Sequence, residues 1–142
     1  DETNTRMMTN IRNSFNRLAS ALVEEGKKDS AIAVIDRCNE LLPNSIIPYE
    51  YFALELANSY IRAGANDKGL EMVETAYGVF NDELNYYFSL QPKYMAGIVE
   101  EIQRKLFYMQ QLQRSAATAG NSELAEQIGG NLQSYFERYG NM

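Results

Sequence analysis

The chain has no histidine, no tryptophan, one cysteine and three prolines in 142 residues. Without histidine it lacks the usual general base near neutral pH and the commonest metal ligand. Ser-His-Asp, Cys-His and HExxH arrangements are excluded with it. The single cysteine, Cys38, rules out an internal disulfide. It sits among Ile35, Leu41 and Leu42 at helical spacing and is expected to be an inert core thiol. No run approaches the roughly 18 apolar residues of a membrane span, and neither a calcium loop nor a GxxxxGK phosphate loop occurs. Concentrated positive charge is missing too. Residues 1–30 carry five acids and five bases, residues 31–100 ten and four, and residues 101–142 four of each, for a net charge of -6. Nucleic acid, whose binding needs a basic face against phosphates, is therefore not an expected partner. The carboxylate pairs Glu24 and Glu25, Asp82 and Glu83, and Glu100 and Glu101 are neighbours in sequence. They point to different parts of a helix surface and read as solvated charge. No catalytic, cofactor or metal residue is assigned, and this chain is not expected to be an enzyme.

What is present is helical periodicity. A composition of 45% hydrophobic and 23% charged residues fits a single domain, 1–142, with a core of its own. Met8, Ile11, Phe15, Leu18 and Leu22 are spaced 3, 4, 3, 4 and predict an amphipathic helix closed by Gly26. Asp29 or Ser30 is the expected cap of a second helix with the stripe Ala31, Ile35, Cys38 and Leu42, ending at Pro43. After the connector PNSIIP a third helix carries Tyr49, Phe52, Leu56 and Tyr60 up to Gly64, and a fourth carries Leu70, Val73, Ala76, Tyr77 and Phe80. The run 81–92 is expected to be a connector with a short helix of its own, capped by Asn81 and Asp82. Pro92 opens a long fifth helix of about 40 Å, with Met95, Ile98, Ile102, Leu106, Met109, Leu112 and Ala116 in period up to Gly120. A last helix carries Leu124, Ile128, Leu132, Tyr135 and Tyr139. Its Gly129-Gly130 pair calls for a kink or a close helix contact, against the plainer reading of a flexible break, since each glycine costs roughly 1 kcal/mol against alanine. No segment alternates with period two, so the expectation is an all-α chain of about six helices, paired as hairpins over about 8–43, 47–80 and 93–139.

The first hairpin resembles the tetratricopeptide repeat, a 34-residue helix pair with large residues at its positions 4, 7, 11 and 24, small ones at 8, 20 and 27, and proline at 32. With Pro43 at the proline position, Phe15, Leu18, Ala19, Leu22, Ala31, Ile35 and Cys38 all match in size. Aligning Gly64 with Gly26 places Leu56, Ala57, Tyr60, Gly69, Val73 and Ala76 on the same sites, with Ala53 and Asn81 departing. Aligning Gly120 places Met109, Leu112, Ala116 and Ala125, with Gln113 and Gly129 departing. The resemblance covers residues 12–81 and continues more loosely to 139. It implies a right-handed superhelix of antiparallel helix pairs. In such repeats, positions 2, 5, 9 and 12 of each first helix line a concave groove, which would here be Asn13, Asn16, Ser20, Tyr51 and Asn58, with Gln110 and Arg114 in the third copy. Amides there can pair with a peptide backbone through both donor and acceptor.

Ten tyrosines are the main compositional oddity. They cluster with phenylalanine as Tyr49, Tyr51 and Phe52, as Tyr86, Tyr87 and Phe88, and as Tyr135, Phe136 and Tyr139. A helix cannot bury two adjacent aromatics equally, so Tyr86, Tyr87 and Tyr135 are a candidate aromatic surface, against the plainer reading of core packing with a solvated hydroxyl. The run DETNTRMMTNIRNSFNRLASALVEEGKKDSAIAVIDRC, with PYEYF and LNYYFSL, is also similar to the soluble C-terminal segment of large bacterial multi-spanning membrane proteins related to protein O-mannosyltransferases. That resemblance implies a domain held on the extracytoplasmic side, beside a catalytic unit not in this chain. Since the chain opens on Asp1, it is read as a fragment or processed form. Three functions are carried forward: a non-catalytic module binding a protein or peptide, which includes the rest of its own parent; a domain contacting glycan or lipid-linked sugar for a neighbouring transferase; and a structural spacer. No membrane insertion of this segment and no cofactor are expected.

Overall fold

A computed structural model describes residues 1–43 and 51–141, apart from the side chains of Tyr51 and Phe52. Among the described residues every regular element is a helix. These are α1 (Glu2–Glu24), α2 (Lys28–Leu41), α3 (Tyr51–Arg62), α4 (Asn66–Ser89), α5 (Pro92–Met95), α6 (Val99–Thr118) and α7 (Ser122–Gly140). A 3-10 turn at Ala96–Ile98 joins α5 to α6, so the long fifth element runs from Pro92 to Thr118 with one tightened turn. Gly97, a poor helix former, sits inside that turn. No helix of the described residues is long and apolar enough to cross a membrane.

Three of the interhelical turns are built alike. Gly26, Gly64 and Gly120 have φ of 79°, 90° and 84°, the left-handed region that favours glycine. In each turn the glycine N–H donates to the carbonyl three residues back, and the following N–H donates to the carbonyl five back. The pairs are Gly26 to Val23 with Lys27 to Leu22, Gly64 to Ile61 with Ala65 to Tyr60, and Gly120 to Ala117 with Asn121 to Ala116. This is the Schellman closure, which satisfies the orphan carbonyls of a helix end. The architecture is compatible with a helical-repeat-like fold. The caps that follow differ: Asn121 accepts from the Leu124 N–H, whereas α2 starts at Lys28 without a side-chain cap. Asp29 and Ser30 lie in its first turn, where the Asp29 charge favours the helix N-terminus.

The chain packs as two compact units, residues 1–72 and 73–142. In the first, α1 packs on α2, and α3 packs on both. Ala19, Ala31, Ile35 and Cys38 are fully buried at the α1–α2 seam, as the small-residue pattern requires. Gly69 at the start of α4 lies so close to α3 that a Cβ there would stand 2.6 Å from Ile61 and 3.0 Å from the Ala57 carbonyl oxygen. In the second unit Phe80 and Leu84 of α4, Ile102, Met109, Leu112 and Ala116 of α6, and Ile128 of α7 are almost fully buried.

Besides the cap of α2, which is neither Asp29 nor Ser30, two expectations are corrected. The run 81–92 is not a connector with its own short helix: α4 continues unbroken to Ser89, because Leu84, Tyr87 and Phe88 keep the spacing set by Phe80. Asn81 is no cap but a mid-helix residue engaged by α7. The second correction concerns α1, whose buried residues are Arg12, Asn16 and Ala19. The apolar stripe lies about a quarter turn away at 100° per residue. Ile11 and Leu18 are exposed, and Met8, Phe15 and Leu22 are half-buried. Arg12 can occupy the seam because its guanidinium donates to the Leu42 carbonyl at the end of α2, the negative pole of that helix.

Candidate functional site

The proposed groove residues do not form one exposed row. Asn16 is only 4% exposed, and its Nδ2 donates to Glu55 of α3, so it ties α1 to α3. Its Oδ1 is buried without a hydrogen-bond partner. Asn13 and Ser20 are half-buried on α1 and Asn58 is exposed on α3, while the Tyr51 side chain lies outside the described residues. Gln110 and Arg114 are exposed on α6. Tyr49, of the first aromatic cluster, is likewise outside the described residues.

The aromatic candidates separate as helix geometry demands. Tyr86 is 62% exposed while its neighbour Tyr87 is half-buried, and Tyr135 is 3% exposed while Phe136 is 42%. Tyr135 is a core residue. Its hydroxyl donates to the Asn81 side chain, and its ring stacks on Phe88 with centroids 5.7 Å apart and planes within 6°. Burial pushes its phenol pKa up. Asn131 of α7 donates to the Tyr77 hydroxyl of α4, completing a neutral pin between the two helices.

The first unit has a charged counterpart. Tyr60 donates to Asp36 Oδ1 at 2.6 Å, Lys68 Nζ lies 2.8 Å from Asp36 Oδ2, and Asn39 donates to the Tyr60 hydroxyl at 3.3 Å. Desolvation pushes the Asp36 carboxyl up, but the hydrogen bonds from Lys68 and Tyr60 outweigh it and hold the pKa below the ordinary value. Burial and the Asp36 charge both push the Tyr60 phenol up. Cys38 is fully buried, and burial raises its pKa, which leaves an inert thiol.

Two surfaces bear on the functions read from the sequence. One is the open flank of α1, where Met7, Ile11 and Leu18 are 54%, 41% and 50% exposed. The other is a cleft of about 510 Å³ along α6 and α7, with the amides of Gln110, Gln113 and Gln133 beside Phe136. Gly129 makes room for the Gln113 side chain, since a Cβ there would stand 2.5 Å from Gln113 Nε2. The residues that departed from the repeat pattern thus meet each other. A large side chain at the usual small site is matched by a glycine at the usual large one.

Sequence reading missed three features. Arg12 and Lys105 are buried cations, and neither stood out because a charged side chain is ordinarily exposed. Lys105 Nζ lies 2.9 Å from Glu83 and 5.0 Å from the centre of the Phe80 ring. Its position between Ile102 and Met109 on the stripe was the available signal. The open flank of α1 was hidden because periodicity locates an apolar face without saying whether anything covers it. No protein-family model, curated protein or solved structure matches the chain.

Proposed function

We propose that the chain is a non-catalytic, tetratricopeptide-like module that binds a protein partner through the open flank of α1. The observation that carries this reading is a difference between equivalent positions. Eight residues before each turn glycine stands a leucine: Leu18 is 50% exposed, whereas Leu56 and Leu112 are each 1%. A helical-repeat array covers such positions with the adjoining hairpin and gives its terminal hairpin a polar outer face. The first hairpin has an apolar one, and contiguous exposed apolar surface marks an interaction site. Met7, Ile11 and Leu18 span twelve residues, about three turns, which suits an amphipathic helix laid alongside. The partner is accordingly a helix of another protein or of the parent chain. Placement beside a bacterial membrane, on its extracytoplasmic side, follows from the second sequence resemblance and belongs to this proposal.

A photo-crosslinking residue at Leu18 of the natural protein in cells tests this. A discrete adduct is expected from that position, absent from the exposed control Glu126 and lost with Ile11→Asp. Failure to obtain an adduct, or an equal one from the control, would sink the reading and favour the spacer.

The glycan-contacting alternative is favoured by one feature, the cleft holding three glutamine amides beside a part-exposed Phe136. Amides and an aromatic face are suited to sugar hydroxyls and C–H faces. Tyr135, being buried, is not available for that role. Saturable shifts of the Gln110 and Gln133 side-chain amides on adding oligosaccharide would support this alternative. Unchanged spectra would remove it.

A further inference from the structure

A second cleft in the second unit, of about 680 Å³, lies where the end of α4, α5, the start of α6 and the end of α7 meet. That is within the roughly 300–1,000 Å³ of small-molecule sites. Its walls are Phe88, Leu90, Pro92, Met95, Ala96 and Val99, and its polar groups are Arg138 and Asn141. We propose that this cleft binds a single-chain fatty carboxylate, with the alkyl chain along the apolar wall and the carboxylate against Arg138 and Asn141.

The wall is held in place. Phe88 stacks on Tyr135, and Tyr135 is anchored through its hydroxyl to Asn81. The Arg138 guanidinium is held 5.8 Å from the centre of the Tyr135 ring, within cation–π range. It is exposed and has no carboxylate partner among the described residues. Guanidinium is the side-chain group whose planar donor fork fits a carboxylate, and the Asn141 amide adds a further donor. In a chain of net charge -6 an anion is not drawn in by the general field. Its capture here depends on that local cation.

The chemistry of the wall selects the occupant. An extended peptide laid on six apolar side chains would leave its N–H and C=O groups unpaired, and a sugar would leave most of its hydroxyls so. An alkyl chain makes no such demand, and its one polar end meets the cleft's polar corner. The cleft shares no residue with the α1 flank, so either proposal can fail alone.

The test is a titration of the 142-residue chain with dodecanoate below its micelle concentration. It is read at the Met95 methyl by NMR, with dodecyltrimethylammonium in a parallel arm. Dodecanoate is expected to shift Met95 saturably and the cationic amphiphile is not. Arg138→Gln should weaken binding roughly tenfold, the loss of one charge-assisted hydrogen bond, and Ala96→Trp should abolish it by filling the cleft. Circular dichroism checks that both variants are folded. The assignment is overturned by an absent or unsaturable Met95 shift, by equal binding of the cationic amphiphile, or by undiminished affinity in a folded Arg138→Gln protein. It is also overturned if an acidic apolar peptide saturates Met95 while dodecanoate does not.

Discussion

The first and last hairpins close with the same glycine turn, yet they finish their outer positions differently. In α6, Met109, Leu112 and Ala116 are buried to within 1%. At the equivalent places in α1, Phe15 and Leu22 are half-buried and Leu18 is half exposed. The turn closes each hairpin, while coverage of the large positions depends on a neighbour. A hairpin of this kind cannot bury its whole apolar stripe alone. At the leucine the two share, Leu18 against Leu112, the difference therefore reflects what packs around each helix.

The most direct way to break that comparison is to truncate the three equivalent leucines. Leu56→Ala and Leu112→Ala should each cost about 2–5 kcal/mol, the range for emptying a buried leucine site. Leu18→Ala should stay within about 0.5 kcal/mol, as surface changes do. Urea unfolding of the three variants measures this. A loss at Leu18 as large as that at Leu56 would mean that α1 is already covered within the chain.

Glycines sharpen the comparison at a smaller scale. A Cβ at Gly69 meets the buried Ile61 side chain at 2.6 Å and a backbone oxygen at 3.0 Å. Neither can yield cheaply, so Gly69→Ala should destabilise by about 1–3 kcal/mol. A Cβ at Gly129 meets only the end of the Gln113 side chain, and one at Gly130 meets nothing within 4 Å. Gly130→Ala should therefore stabilise by about 1 kcal/mol through helix propensity. Gly129→Ala should approach that gain only once Gln113→Ala has removed the clash. Thermal melts of the single and double variants read this coupling, and strict additivity between positions 113 and 129 would show that they do not touch.

How much was legible follows from the same residues. The helices, their three turn glycines and most of the core could be read because 3.6-residue periodicity and left-handed glycines are local properties. The end of α4 was misplaced because Asn81 and Asp82 are good cap residues, and only the apolar spacing beyond them marks the helix as continuing. Coverage was not legible: Leu18 and Leu56 sit in the same pattern, and their exposures are set by what packs from outside it. Pairing between distant residues was equally hidden. Asn16 with Glu55, Tyr135 with Asn81 and Gln113 with Gly129 are separated by 39, 54 and 16 positions. The groove row assumed exposed amides, and Asn16 failed that assumption through its bond to Glu55.

The smallest expected effect lies in how each unit pins its helices. The first uses the Asp36 carboxylate between Tyr60 and Lys68, whereas the second joins α4 to α7 through Asn81, Asn131 and two tyrosines. Asp36 has a folded pKa below its unfolded value of about 3.9. Its contribution is therefore fully present above about pH 4 and is lost as pH falls through the folded value. Because the Lys68–Asp36 pair is partly exposed and screened, the loss should stay below about 1 kcal/mol. Amide exchange between pH 4 and pH 2 should accordingly show the α2–α3 contact loosening relative to the α4–α7 contact. Asp36→Asn should remove that pH dependence, since the amide does not titrate. If the variant keeps the same acid response, the charged pin is not its source, and the contrast between the two units reduces to the coverage of their outer positions.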